Sequence, residues 1–349
     1  MPTKKTRIKD IAEKAGVSIG TIDRVLHNRG EVKAETREKV LKIAKQMNYQ
    51  PNIAARALKS PTSYKIAVMI PQSSGNNHFW NMHPLGIEQA LETVAPFIVK
   101  VNYFNYEMHS AMDFMKNASQ LVEWKPDGVI LAPILKNETL ELCHKLDDMN
   151  IPYAFIDTNI QNTNALTFIG EDGRKGGRVA ASIMDVGVDT EKDILIVNIA
   201  KDLDNVIHLN LRNQGFMSYF MDSGKNKGLK ISVEVPSGDK KGIYSKLDTV
   251  FNNNKNIGGI MVSSARTFVI AEYLKDRKLE DKFLIGYEVF EKNAQYLEDG
   301  IIDFLISQRP IDQAEKTFKR LFSYLVHHTV PEKMEFQPID IINRENLFI

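Results

Sequence analysis

A single cysteine, Cys143, stands in 349 residues, so neither an intramolecular disulfide nor a cysteine-rich zinc site can form. No stretch approaches the roughly eighteen consecutive apolar residues of a membrane-spanning helix. The opening residues, MPTKKTRIKD, are basic without an apolar run behind them and read as non-secretory; with the lone thiol they point to a reducing cytoplasm. Catalytic signals are missing too. The eight histidines (27, 78, 83, 109, 144, 208, 327, 328) are scattered, and none has the helical partner and acid of a zinc motif. The adjacent His327 and His328 read as favourable charge at a helix C-terminus. No GxSxG elbow occurs, and IPQSSGNNHFW, after the first strand-like run, lacks both the dinucleotide and the P-loop spacing. An enzyme is therefore not expected, nor a cofactor, a metal or a catalytic residue.

What is present is ordinary in bulk and uneven in distribution. An apolar fraction of 43% with 26% charged residues is that of a soluble globular chain, and the length suits two or three units. The net charge of +1 hides an asymmetry: residues 1–60 carry 14 Lys/Arg against six acids, and the remainder carries a net −7. A basic head on an acidic body presents one end to phosphates.

The head has apolar periodicity, so it is more than a basic tail. Ile8, Ile11, Ala12 and Ala15 recur at helical spacing, and Gly16 follows where a helix ends in a left-handed turn. Val17 can plug the corner. Ser18 stands at an N-cap position, ahead of a second short helix with Ile22, Val25 and Leu26 on its apolar face. Thr36, Val40, Ile43, Ala44 and Met47 make a third run, long enough to roof the first two. Three short helices with a tight turn between the first pair are a helix-turn-helix. The outward face of the second helix, with Ile19, Gly20, Thr21, Asp23 and Arg24, suits a major groove. Pro51 then bars helix at the residue before it, Asn52 is a good N-cap, and IAARALK makes a helix of barely two turns, marginal alone in water. Lys59 to Ser63 form a linker.

The run IKDIAEKAGVSIGTIDRVLHN, then TREKV, then MNYQPNIAARAL, resembles the head of LacI/GalR-family regulators throughout, with the same spacings. The resemblance implies phosphate or base-edge contacts from Ser18 and Thr21, and base reading by Ile19, Gly20 and Arg24. Arg24 can take a guanine in bidentate fashion, worth about 1–3 kcal/mol of discrimination. Two positions depart from the family pattern. Gly20 offers no side chain, and Asp23 puts a negative charge on the DNA-facing helix, where it either accepts from a cytosine amine or pairs with Arg24 or Lys14. The resemblance further implies that Asn52 to Leu58 fold on DNA beside a twin from a second subunit. Leu58 would be the minor-groove wedge and Ala55 the close contact; alternatively, Leu58 packs on the next domain.

Beyond Lys65 strands and helices alternate. Ten strand-like runs (KIAVMI, FIVKVNYF, GVILAP, YAFID, LTFIG, DILIVNI, KISVEV, GIMVS, FLIGY and DFLIS) are mostly separated by helical stretches. That is the βαβ pattern of parallel sheets, and about 285 residues of it exceed a single core. The order resembles the periplasmic sugar-binding-protein fold of LacI/GalR bodies, to the C-terminus. The fold class expected is an α-helical helix-turn-helix head plus an α/β periplasmic-binding-protein-like body of two parallel-sheet subdomains. The domains follow: a head over 1–50, hinge and linker over 51–64, and a body over 65–349. Within the body an N-subdomain takes 65–169 and 304–330, and a C-subdomain takes 170–303 and 331–349. Chain crossings are expected near Ile169–Glu171, Asp303–Ser307 and Val330–Lys333.

In that fold a ligand lies in the cleft between subdomains, at the carboxyl ends of the strands. Asn77, Phe79 and Trp80 follow the first strand and could offer an aromatic face to a sugar ring. Asp157 ends YAFID. Arg212, in LRNQGF, matches the family's RxxGF signature, and a guanidinium can donate to two hydroxyls at once. Gln308, in ISQRP, matches a Gln at the second crossing, and Glu288 stands where GYD or GFD is usual. Each alone also reads as a satisfied structural polar group. The family's Asn-Asp pair after the strand GIMV is replaced by Ser264 and Ala265, with Arg266 following. A carboxylate lost and a cation gained favour an acidic sugar. The whole reading is a DNA-binding repressor, a cytoplasmic homodimer, controlled by a sugar or sugar derivative. A freestanding sugar-binding protein would share the body and lack the head.

Overall fold

The computed structural model describes residues 7–26, 31–47, 63–73, 79–95, 97–108, 110–199, 207–235, 240–279 and 281–347. Asn52, Ala55, Leu58 and Asn77 lie outside them.

Three helices form the head: α1 (Ile8–Ala15), α2 (Ile19–Leu26) and α3 (Ala34–Gln46). Gly16 ends α1 at φ +68°, a left-handed conformation that glycine adopts without a Cβ penalty. The Val17 amide donates to the Ala12 carbonyl at 3.1 Å, which closes the corner. Ser18 caps α2, its hydroxyl accepting from the Thr21 amide at 3.1 Å. Ile11, Ala12, Ala15, Ile22, Val25, Val40 and Ala44 are buried together, with Ile8, Val17, Leu26, Ile43 and Met47 packed around them. Their spacing is the helical period that puts one face inward.

Two six-stranded sheets make the body. The first has β1 (Ser63–Met69), β2 (Ile98–Tyr103), β3 (Gly128–Leu131), β4 (Tyr153–Asp157), β5 (Phe168–Gly170) and β11 (Met334–Phe336), in the order β11-β5-β4-β3-β1-β2. The second has β6 (Asp193–Ile199), β7 (Lys230–Val235), β8 (Ile257–Val262), β9 (Phe283–Tyr287), β10 (Phe304–Ser307) and β12 (Asp340–Ile342), in the order β12-β10-β9-β8-β6-β7. Strand for strand the orders match, so β4 and β9 occupy equivalent places. All ten strand-like runs of the sequence are strands. Every pair is parallel except β10 with β12, an antiparallel edge that the βαβ pattern did not announce.

Both faces of each sheet are covered, which is why the strands read as nearly unbroken apolar runs. In β1, Ile66 and Val68 face one way, onto α4 (Met82–Val94) and α12 (Pro310–His327). Ala67 and Met69 face the other, onto α5 (Ala111–Trp124) and α6 (Lys136–Asp148). In β6, Leu195 and Val197 meet α9 (Lys240–Asn253), α10 (Thr267–Arg277) and α11 (Glu291–Glu298). Ile194 and Ile196 meet α7 (Gly173–Gly187) and α8 (Ile207–Ser223).

The chain passes between the sheets three times. It leaves β5 at Gly170 and enters α7 of the second lobe, within the expected stretch. The second passage lies at Gln308–Arg309, not at Asp303–Ser307, because β10 pairs with β9 and belongs to the second sheet. The third lies at 337–339 rather than Val330–Lys333, because β11 still pairs with β5. Residues 304–307 therefore belong to the C-lobe and 334–336 to the N-lobe. Strands of three or four residues carry too little alternation to assign to a sheet from sequence.

Candidate functional site

The carboxyl ends of β4, β5, β9 and β10 converge on one buried polar group. Its centre is Arg212, 2% exposed, carried on α8 where that helix crosses α7 at backbone contact. A Cβ on Gly177 would strike the Arg212 carbonyl, and one on Gly215 the Arg174 carbonyl. These glycines are the physical content of the RxxGF spacing: they let α8 come close enough for its arginine to reach the strand ends.

The guanidinium is largely committed within the protein. Its Nε and Nη2 donate to Glu171 Oε2 at 3.2 and 2.6 Å, and Nη1 donates to the Ser263 carbonyl at 2.8 Å. It also lies over the Tyr287 ring, 3.7 Å from the centroid, a cation–π stack in a desolvated place. Burial works against the Arg212 charge, but Glu171, Tyr287 and Glu288 together outweigh it and hold the group protonated. Three of the five N–H donors of the fork are thus engaged within the protein, two of them by Glu171. Gly176 makes room for that carboxylate, since a Cβ there would strike Glu171 Oε1.

Asp157 and Glu288 stand just where β4 and β9 end, at φ +67° and +68°. A non-glycine residue held left-handed costs on the order of 1 kcal/mol, and both strands bear it at the same point. Asp157 accepts from the Thr158 hydroxyl at 2.9 Å. Glu288 accepts from Gln308 Nε2 at 2.6 Å, so Gln308 links the second crossing to the end of β9. Burial raises the Asp157 carboxyl to about 6, with Arg212 and Thr158 opposing and Glu171 adding. Burial likewise raises Glu288 to about 8; Arg212 and Gln308 oppose, while Glu171 and Asp157 add. Among the described residues, Glu171 Oε1, Tyr287 Oη and Glu288 Oε2 are buried without hydrogen-bond partners. Such atoms are rare in native structures and mark a place built for something else.

Sequence reasoning thus brought together Asp157, Arg212, Glu288 and Gln308, and missed four residues. Glu171 follows β5 directly, and Tyr287 precedes Glu288; adjacency to a strand end was the available signal. Ser263 offers its carbonyl to Arg212, which no sequence pattern announces. Asn293 staples two loops, donating to the carbonyls of Ala265, Tyr287 and Glu288 at 3.0, 3.0 and 2.8 Å and accepting from the Phe268 amide. Phe79 and Trp80 are 6% and 4% exposed rather than an open aromatic face. Their rings meet edge to face at 5.0 Å, and His83 stacks on Trp80 at 4.8 Å. Ala265 of the other lobe packs against this apolar cluster. Arg266 is half-buried at the N-cap of α10. Two depressions, of about 310 and 260 Å³, lie at the opposite end of the second sheet and hold none of the expected residues.

On the head, Ile19 is 53% exposed and Gly20 and Arg24 are exposed, while Thr21 and Asp23 are half-buried. The Ser18 and Thr21 hydroxyls lie 2.9 Å apart.

The profile of a periplasmic binding protein domain matches residues 66–328, and that of the bacterial regulatory proteins, lacI family, matches residues 7–52. The chain belongs to the LacI family of transcriptional regulators. This LacI-family regulator is 29% identical over 298 residues to the HTH-type transcriptional regulator RegA of Clostridium saccharobutylicum, covering 81% of this chain and 82% of that protein. It is 26% identical over 287 residues to the ribose operon repressor of Lactococcus lactis subsp. lactis (strain IL1403), covering 81% of each. Its fold superposes on a LacI-type transcriptional regulator from Bacteroides fragilis with a TM-score of 0.77 at 25% identity, over 82% of this chain and 98% of that one. The regulator therefore joins a DNA-binding head to a body of the periplasmic-binding-protein class.

Proposed function

We propose that this regulator is a repressor whose operator affinity is set by a small sugar-like effector in the cleft between the two lobes. Asp157, Glu171, Arg212, Glu288 and Gln308 would hold the effector's polar groups, and Phe79 and Trp80 would back its apolar face. The observation that carries this is the set of buried oxygens on Glu171, Tyr287 and Glu288, without partners among the described residues, where strands from both lobes end. Hydroxyl groups can supply the missing donors. A ribose operon repressor among the relatives supports the sugar class.

At the other end, Ile19, Gly20 and Arg24 present an exposed face to the major groove, with Ser18 and Thr21 at the helix start. Asn52, Ala55 and Leu58 would complete the contact in the minor groove. The protein would act as a cytoplasmic homodimer, with recognition helices about one helical turn apart or a small multiple of it. Effector in the cleft would change how the lobes pivot about their three crossings, and so change which DNA-binding state is populated.

An acidic effector, favoured by Arg266 alone, fits less well. Three carboxylates gather around Arg212, so the carboxylate missing at Ser264–Ala265 is compensated by Glu171 and Glu288. The test is a mobility shift on the regulator's own promoter DNA with and without a sugar panel. Retarded DNA that one class of sugar releases or tightens is the expected outcome; DNA binding indifferent to every ligand bound by the body would overturn the effector role.

A further inference from the structure

We propose that the effector carries an amino group, a hydroxylated cation of the amino-sugar class, with its ammonium between Asp157 and Glu288. This rests on the cleft reading above and names its ligand class.

The charged groups that act on Glu288 are Arg212 on α8, Glu171 at the first crossing and Asp157 at the end of β4; its other close polar neighbours, Gln308 and Tyr287, are neutral. Three carboxylates thus share one guanidinium, and three of that guanidinium's bonds already go to Glu171 and the Ser263 carbonyl. Even with Arg266 counted, the acids outnumber the cations among the described residues. Among the described residues, Asp157 and Glu288 accept from neutral donors, the Thr158 hydroxyl and the Gln308 amide. Unpaired buried carboxylates are strongly unfavourable. In the empty cleft a proton relieves the problem; in the filled cleft the ligand can.

The free valences are those of an acceptor site. Glu288 Oε2 and Glu171 Oε1 are acceptors when ionised, and both are buried and without a partner among the described residues. An ammonium brings three N–H donors and a positive charge, whereas a hydroxyl brings one donor and no charge. Charge-assisted bonds of this kind are roughly twice as strong as neutral ones. A carboxylate on the ligand would add a fourth negative charge to the same volume. Asp157 and Glu288 end topologically equivalent strands of opposite lobes, so a cation held by both would also tie the lobes together. The ligand's charge then contributes to the closed state itself and not only to affinity.

The test is calorimetric and thermal-shift titration of the full chain near neutral pH. The probes are glucosamine, galactosamine and mannosamine, each beside its neutral parent and its N-acetyl form, with glucuronate and galacturonate as acids. The expected result is one amine binding at least about tenfold more tightly than its parent, its N-acetyl form and the acids, a difference of about 1.4 kcal/mol. In Glu288→Gln, and separately in Asp157→Asn, the amine-to-parent ratio should fall toward one. A neutral sugar or an acid binding as tightly as the amine would overturn the proposal and leave the sugar cleft standing. A panel in which no amine binds overturns it as well, while the mobility-shift experiment judges the cleft reading separately. A ratio unchanged in both variants would also overturn it, by putting the amine elsewhere.

Discussion

The two lobes are built on the same strand order yet furnish the cleft differently. Where β4 ends, the N-lobe supplies one acid, Asp157, hydrogen-bonded by its own neighbour Thr158, with a sealed aromatic cluster of Phe79, Trp80 and His83 in its apolar core. At the equivalent end of β9, the C-lobe supplies Glu288, bonded by a crossing residue, with Arg212, Glu171 and Tyr287 packed beside it. Matching backbone, φ +67° against +68°, thus carries unlike surroundings. A shared strand order therefore sets where side chains arrive and leaves free what they find there. One lobe offers shape and the other charge.

Removing the charge centre should have the largest effect. Arg212→Ala strands Glu171 and the Ser263 carbonyl in the interior, and losing one partner of a buried pair costs about 3–5 kcal/mol. The thermal midpoint should fall on the order of 10 °C. Asp157→Ala, in the N-lobe, removes a carboxyl that burial already disfavours, and should cost far less. Equal losses in the two variants would break the asymmetry between the lobes.

Next in size is the pH dependence of the effector-free protein. Both carboxyls are held above their ordinary values, so the folded state binds their protons more tightly than the unfolded one. That stability is fully present below the ordinary values and is lost as pH rises through the folded ones. For Glu288 the window runs from 4.5 to about 8, and for Asp157 from 3.8 to about 6. Burial holds the imidazoles of His83 and His208 down to about 3, which acts in the opposite sense up to 6.5. Thermal midpoints in the natural protein should therefore fall from pH 6.5 to 8, where of these groups Glu288 alone acts. Glu288→Gln should flatten this fall and Asp157→Asn should leave it unchanged. A midpoint that climbs over this range would contradict the assignment.

Helix crossings give a third contrast. Gly177 sits under the Arg212 carbonyl in the C-lobe, and Gly86 under the Ile311 carbonyl in the N-lobe. Alanine at either must push backbone aside, at about 1–3 kcal/mol. Only Gly177→Ala moves the helix that carries Arg212, so it alone should weaken effector binding in titration beyond its effect on the midpoint. Matching losses of affinity would mean that helix spacing in general, and not the position of Arg212, governs the site.

Much of this was legible in the sequence where local physics decides. The head could be read residue by residue because Gly16, Ser18 and the apolar period around them each have one local meaning. The ten strands were visible because burial on both faces leaves unbroken apolar runs. The second and third crossings were misassigned, since β10 and β11 are too short for their sheet partner to show. Asp157 and Glu288 were found as strand ends. Glu171 was not, because its role follows from a partner 41 residues away and from a glycine that clears its path. Arg266 shows the same limit: a cation counted along the chain favours an anion, and the three carboxylates around Arg212 come together only on folding.

The smallest expected effect tests the weaker of the two carboxyl environments. Thr158→Val removes the hydroxyl that donates to Asp157 Oδ2 and keeps the side chain's shape. The bond favours the ionised carboxyl, so without it the Asp157 value should move further up from about 6. Below pH 4 the aspartate is protonated in both folded proteins, and the variant's midpoint should match the natural one. Above pH 6 the variant should be less stable by about 1 kcal/mol, the net contribution of one hydrogen bond. A loss of the same size at every pH would assign Thr158 to packing alone. The C-lobe partner of this experiment behaves differently, because the group that bonds Glu288 is Gln308, at a point where the chain passes between lobes. The Asp157 bond stays within its own loop, whereas the Glu288 bond reaches a crossing, so under the proposed function Glu288 is the carboxyl that would pass cleft occupancy to the pivot.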